Sequence, residues 1–466
     1  MNKLFRLITV LALAFTFSAI KAQEVSPVDF MRLNPYQMNA NPATDLPYES
    51  VMSFFVGNFD LSLNNTSIRY DNIFDFDAQG RPAMINLRKF ADAIKENNYL
   101  GISMNESLFT LYRSINDNML TFDYRLKVKS DMTYDNGLFK LLSYGNSAFV
   151  GESNPINIDL NMNTQVYQEI SVGYQWNVLD NLSVGGRAKL LFGVANVTTD
   201  AFNVKLYTDP DSYALRLMED VSMSASLPSV FTLQDGVIGT QGRFKVADLF
   251  RNPGFGLDFA AEYHFNEKFS AVAAVHDMGF ISWSGNNMKM VGEIVDGGQF
   301  YDDGSFLFSG LEMEQLQMVI SDASYRTLFL DSLKQYFQLQ FTPQERYTTM
   351  LNTNILLRGN YDITPHSRIS AQMRGYFMGS GFRPAMTLAY SGSFFRMLDI
   401  CATYTMMRGS YANIGFGLAG NFGIFQIYAT TNNVLGFFDP TNGQTLNAQV
   451  GVVFNLFKKD RDSFYE

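Results

Sequence analysis

A single cysteine, Cys401, three histidines and 17% charged residues in a chain of 466 set the first boundaries. One thiol cannot build an intramolecular disulfide framework, and its place far from the N-terminus excludes the cysteine that a lipoprotein anchor needs at its cleavage point. His264, His276 and His366 do not stand at metal-ligand spacing from a second His or from Cys401, so no metal or other cofactor is expected. A net charge of -10 has the wrong sign for a nucleic-acid partner, whose phosphates demand clustered Lys and Arg. After residue 22 no apolar run reaches the roughly 18 residues that a spanning helix needs, which excludes a helical membrane protein.

What is present begins with an export signal. Lys3 and Arg6 precede an apolar run from Leu7 to Ile20 and a small residue at Ala22, so residues 1–22 are expected to be a signal peptide with Gln23 as the mature start. The chain is 47% hydrophobic, yet its mean hydropathy is only -0.06; aromatics make up 15% and there are 35 glycines. Strands with one face in lipid and the other in water give this average. A secreted soluble β-sandwich or propeller shares part of the signature.

Period-two alternation carries the fold assignment. Between Met119 and Ser130, Leu120, Phe122, Tyr124, Leu126 and Val128 share one face, while Thr121, Asp123, Arg125, Lys127 and Lys129 share the other. From Gly254 to Phe265, Phe255, Leu257, Phe259, Ala261 and Tyr263 oppose Asp258, Glu262 and His264. Near the C-terminus Leu446, Ala448, Val450, Val452 and Phe454 alternate with Asn447, Gln449, Gly451 and Asn455. Turn residues at Asn116–Asn118, Leu179–Asn181, Asn266–Lys268, Ile363–His366 and Arg396–Met397 separate such runs.

The resulting expectation is an all-β, transmembrane, antiparallel up-and-down barrel of about fourteen strands over residues 53–457. Residues 23–52 precede the barrel and 458–466 form a short tail, with both termini in the periplasm of a Gram-negative cell. Long extracellular segments fall at Asn65–Asn105, Met132–Gln165, Thr198–Pro253 and Gly285–Glu345. Extra hairpins in the third raise the count to about sixteen. The apolar positions of Gly310–Leu339 fit either a loop folded on itself or a lid over a greasy pocket.

Asn34-Pro35-Tyr36-Gln37-Met38-Asn39-Ala40-Asn41-Pro42-Ala43 resembles the Asn-Pro-Ala signature that precedes the first strand of FadL-type long-chain fatty-acid transporter barrels. Val184–Gly193 and His276–Trp283 look like pieces of FadL-related and PorV-like barrels. The resemblance implies fourteen strands and an N-terminal hatch in the lumen, with Asn41, Pro42 and Ala43 as its motif. Physically, Pro fixes φ and Asn can cap the adjacent backbone, which suits a hatch and equally an ordinary turn.

Arg125, Lys127 and Lys129 on one strand, with Arg187 and Lys189 on another, are candidate lumen-facing ligand groups for an anionic or carboxylate-bearing solute. The competing use is pairing with Asp123, Glu169, Asp258 and Glu262. His264, beside Asp258, Glu262 and Ser270, reads as a solvated lumen network rather than a catalytic site. The function expected is uptake or binding of a hydrophobic small molecule in the outer membrane. The alternative is a non-transport scaffold that docks a secretion or cell-surface protein, and a barrel enzyme comes last. Outer-membrane lipid is the expected surrounding.

Overall fold

The computed structural model describes residues 25–459, apart from 80–81, 152, 212–214, 235–236, 240–241, 293–298, nearly all of 301–338, 379–380, 396, 408–409 and 439–444. The expected signal peptide, most of the Gly310–Leu339 stretch and the tail after Lys459 lie outside these residues.

Strands, most of them long enough to cross a bilayer, follow one another in an antiparallel ring: β1 (Tyr48–Phe54, continued as Phe59–Asn65), β2 (Asn98–Ile115), β3 (Asn118–Tyr134), β4 (Ile156–Leu179) and β5 (Leu182–Thr208). The ring goes on through β6 (Asn252–His264), β7 (Phe269–Trp283), β8 (Tyr347–Met350, continued as Asn354–Thr364), β9 (Ser367–Met378) and β10 (Gly381–Phe394). It ends with β11 (Leu398–Met407), β12 (Ser410–Phe422), β13 (Phe425–Thr431) and β14 (Thr445–Lys458). Each strand pairs with the next, and β1 pairs back onto β14 at Ser50↔Leu456 and Leu61↔Ala448, which closes a fourteen-strand barrel. Closure leaves no open edge, so the backbone donors and acceptors are satisfied within the wall, as hydrocarbon requires.

The strand count stays at fourteen although the β5–β6 connection contains further strands. Leu215–Ser226 pairs with the far half of β5 from Asn196 onward, and Asn287–Gly292 pairs with it in turn. The near half of β5, up to Gly193, is taken by β6. The extra strands therefore extend the sheet beyond the ring instead of widening it. The first strand starts at Tyr48, earlier than the expected Ser53.

Alternation sorts the side chains as a lipid-facing wall demands, and inverts the rule of soluble cores. On β4, Val172, Tyr174 and Trp176 are exposed while Ser171 and Gln175 are buried. On β3, Thr121, Asp123, Arg125 and Lys127 are buried and Leu120 is exposed. Hairpins at one end are tight. Asn116 and Asp117 both adopt positive φ (49° and 66°) between β2 and β3, the geometry of a type I′ turn that suits Asn and Asp. The long connections gather at the other end. No described helix is long and apolar enough to cross a membrane.

Two wall strands are interrupted. β1 leaves its ladder between Phe54 and Phe59, and β8 between Met350 and Asn354. Beside the second gap, β6 and β7 shift register so that His276 and Asp277 oppose the single residue Asp258. Asp277 takes φ 55°, and its N–H donates to the Asp258 carboxylate at 2.8 Å.

Residues 25–47 pack inside the ring near the tight-turn end. Two short 3-10 turns, Pro27–Phe30 and Pro35–Asn39, open with proline after a capping residue; Ser26 Oγ accepts from Val28 N–H and Asn34 Oδ1 from Tyr36 N–H (2.9 Å). Val28, Phe30, Met31, Tyr36 and Met38 share one apolar cluster with Val51, Tyr112, Ala389, Cys401, Ala419 and Tyr428. This segment is thus bonded by apolar burial to β1–β3 and β10–β14.

The two tryptophans separate the two environments: Trp176 is 52% exposed on the outer face, whereas Trp283 is fully buried and donates to Thr349 Oγ1 at 2.7 Å. In vesicles of brominated lipid, fluorescence quenching is expected to vanish in Trp176→Phe and to persist in Trp283→Phe. Quenching that instead follows Trp283 sinks the assignment of faces.

Candidate functional site

The lumen-facing cations on β3 and β5 do converge, and they converge on carboxylates. Asp123, Arg125, Lys127 and Lys129 project inward from β3 because they occupy every second position, and Arg187 and Lys189 do so from β5. Arg125 lies 2.9 Å from Asp123 and 3.6 Å from Glu169; Lys127 lies 2.6 Å from Glu169. Lys189 bridges Asp258 and Asp277, at 2.6 Å each, Lys129 reaches Asp277 at 2.9 Å, and Arg187 stands 3.7 Å from Asp258. Five cations thus meet Asp123, Glu169, Asp258 and Asp277 in one buried network. Burial makes each charge dependent on its partner, since an ion stripped of water is tolerated only when paired and hydrogen-bonded.

Asp277 is the member that sequence reading missed. Along β7 it falls in phase with the outward positions Phe269, Ala271, Ala273 and Val275, where a carboxylate would face lipid. The bulge at His276–Asp277 turns it inward. An acid in the lipid-facing phase is the signal that could have found it. Glu262, expected as a partner for the cations, instead accepts from Asn41 Nδ2 at 2.6 Å and from Ser270 Oγ at 3.4 Å. His264 lies 3.7 Å from Glu262 at the tight-turn end, and Ser270 bonds the carboxylate rather than the imidazole.

The same network grips the N-terminal segment. Arg125 donates to Asn39 Oδ1 at 2.7 Å, Arg187 donates to the Met38 carbonyl, and His276 contacts the Ala40 carbonyl at 3.1 Å. Arg358 on β8 donates to the Asp29 carbonyl at 2.8 Å. Asn41 folds back to accept from Ala43 N–H at 3.1 Å, so the Asn41-Pro42-Ala43 motif is a capped turn, and it lies against Gly185. A Cβ on Gly185 would stand 2.1 Å from the Pro42 carbonyl oxygen. The segment therefore meets β3, β5, β6 and β7 across a mainly polar seam, Met38–Ala43, in which Ala40 and Ala43 also touch Ala260, Val272 and Ala274, while its other side is held mainly by apolar packing.

Cavities lie on both sides of that seam. One of about 190 Å³ is lined by Asn39, Arg125, Lys189 and Asp277 together with Asn58, Asn105, Asn432 and Asn447. The other, about 580 Å³, opens at the tight-turn end between Arg32, Gln37, Asn41 and Thr44 and the wall residues Asp180, Glu262, His264 and Arg368. Both are lined mainly by polar side chains. An apolar cluster of Tyr167, Leu191, Ile281, Trp283 and Leu351 fills the lumen next to the β8 interruption.

The model of a family of unknown function, DUF5723, matches residues 42–432. No curated protein matches the sequence. Among solved structures the chain is similar to the Pseudomonas putida toluene transporter TodX, with 8% identity over 94% of this chain and 98% of that one and a TM-score of 0.41. It is also similar to a Pseudomonas aeruginosa FadL homologue, with 9% identity, 94% and 100% coverage and a TM-score of 0.42. The CymD monoaromatic hydrocarbon channel follows with 8% identity, 94% and 99% coverage and a TM-score of 0.34.

Two outcomes are expected from this geometry. Lys189→Met removes the cation shared by Asp258 and Asp277, leaving Asp258 with Arg187 at 3.7 Å as its nearest cation, and is expected to destabilise the barrel by about 3 kcal/mol in urea unfolding from detergent; a change near zero means that the network is solvated. Gly185→Ala pushes the Asn41–Ala43 turn off the wall and is expected to raise ion leak across a planar bilayer, with unchanged leak showing that the turn does not seal the lumen.

Proposed function

The chain belongs to the family of unknown function DUF5723, and we propose that it is an outer-membrane uptake barrel in which residues 25–47 act as a hatch. A small molecule passes between this segment and the wall. The observation that carries the reading is the pair of cavities meeting at the Met38–Ala43 seam, which is closed by hydrogen bonds and by only a small apolar contact, Ala40 and Ala43 against Ala260, Val272, Ala274 and Leu356. Hydrogen bonds of this kind exchange with water at a net cost of about 1 kcal/mol each, whereas the apolar side of the segment holds it in place. The tight-turn end faces the periplasm, where barrels of this type carry their short turns.

A hydrophobic cargo is a second reading, favoured by the apolar cluster around Leu351 at the break in β8. There the ladder between β7 and β8 lapses from Asp277 to Gly279, and Leu351 N–H bonds the Gly279 carbonyl instead. Such a molecule would enter through the wall rather than along the lumen. The scaffold reading takes its support from the strands that extend β5 beyond the ring, a surface on which a protein partner could pair.

The test is solute flux in proteoliposomes. Removing two seam contacts in the double variant Asn39→Ala, Asn41→Ala is expected to raise the entry of small solutes about tenfold. Unchanged flux, with a stoichiometric protein retained in native mass spectrometry from mild detergent, decides for the scaffold.

A further inference from the structure

The cavity on the far side of the seam has a wall unlike the charged one opposite. Asn58 lies in the break in β1, Asn105 on β2, Asn432 just after β13 and Asn447 on β14, neighbouring strands across the closure of the barrel. Two of the amides, Asn58 and Asn447, are oriented by partners at one end only. Asn58 Oδ1 accepts from Tyr428 Oη at 2.6 Å and from Gln449 Nε2 at 2.5 Å, and Asn447 Nδ2 donates to Asp60 at 2.8 Å. Asn58 Nδ2, Asn447 Oδ1, Asn105 Oδ1 and both amide atoms of Asn432 have no hydrogen-bond partner. On the opposite wall Asn354 Oδ1 and Arg374 Nε are likewise without one. Buried amides are ordinarily paired, so a group of this size around one cavity calls for a partner that enters from outside.

The mixture of atoms narrows what that partner is. Both donors and acceptors are left unpaired around the cavity, which suits hydroxyl groups, because each hydroxyl both donates and accepts. The cations that line it are already matched: Lys129 and Lys189 by Asp277 and Asp258, and Arg374 by Asp29 at 3.2 Å. An anion would find no unpaired cation among them and would meet the acceptor oxygens and Asp60. A hydrocarbon would leave the amide atoms as they are. We propose that this cavity is a binding site for a neutral, hydroxyl-rich small molecule, a monosaccharide or cyclic polyol. Its 190 Å³ also has room for on the order of ten waters, which such a solute would displace while reproducing their hydrogen bonds. This rests on the uptake reading only for what happens after binding.

The measurement is saturation-transfer NMR on the full barrel in a detergent without a sugar headgroup, with glucose and myo-inositol as probes and toluene and hexanoate as comparators. Transfer to glucose or inositol ring protons is expected, and a drop of about tenfold in Asn432→Leu, whose lost amide strands no neighbour. Asn105→Leu serves if that variant fails to show the heat-dependent gel mobility of a folded barrel. Absence of transfer from both probes, unchanged transfer in a folded variant, or loss of the signal to competing toluene each overturns the proposal. Proteoliposome flux separates the two ideas. Sugar binding without flux removes the uptake reading alone, and flux of toluene without sugar binding removes this inference alone.

Discussion

Hydrocarbon cannot hydrogen-bond, and from that one constraint most of this molecule follows. Every backbone N–H and C=O in the bilayer must find its partner in the wall, so the sheet has to close, which it does where β1 meets β14. A closed sheet has only two faces. One meets lipid and takes Val172, Tyr174 and Trp176; the other encloses a lumen and takes what water or pairing can satisfy. The polar residues are therefore the buried ones, and the specificity of the interior is electrostatic where that of a soluble core is steric.

Fourteen strands surround more space than side chains on the wall fill, and the N-terminal segment occupies much of the remainder, leaving the two cavities beside it. It does so unevenly. Against β1–β3 and β10–β14 the contact is mainly apolar, made by Phe30, Met31, Tyr36 and Met38, with hydrogen bonds to Ser53, Asp399, Gln426 and Gln449 set among them. Against β3, β5, β6 and β7 it is made chiefly by Arg125, Arg187, Glu262 and His276, with Ala40 and Ala43 touching Ala260, Val272 and Ala274. The charge network serves two ends in this arrangement, neutralising its own members and offering donors to the backbone of the segment. Lys189 lies at its centre because it alone spans Asp258 and Asp277.

Much of the wall was legible in the sequence because alternation is a local property. Leu120 to Lys129 declares both faces of β3 without knowledge of any other strand. Turn chemistry at Asn116–Asp117 is equally local. The assignment of Arg125, Lys127, Arg187 and Lys189 to the lumen needed no more than this phase. Their partners needed tertiary structure. Asp277 reaches Lys189 only through a bulge, and the bulge shows in the sequence merely as an acid in the wrong phase. The polar cavity was not legible at all, since Asn58 and Asn432 meet only once the ring has closed. Long connections also hid strand: β2 begins at Asn98, inside a segment expected to be loop, although Leu100, Ile102 and Met104 already alternate with Gly101, Ser103 and Asn105.

The enclosed position of residues 25–47 bears on the order of assembly. Leu33 N–H is held by Asp399 of β11, the Leu33 carbonyl by Gln426 of β13, and Ser26 by Gln449 of β14, all from the last strands of the chain. With the segment in the groove of the curling sheet before β14 arrives, the final pairing of β1 with β14 would wrap the wall around it, and its contacts with Asp399, Gln426 and Gln449 would guide the last strands into place.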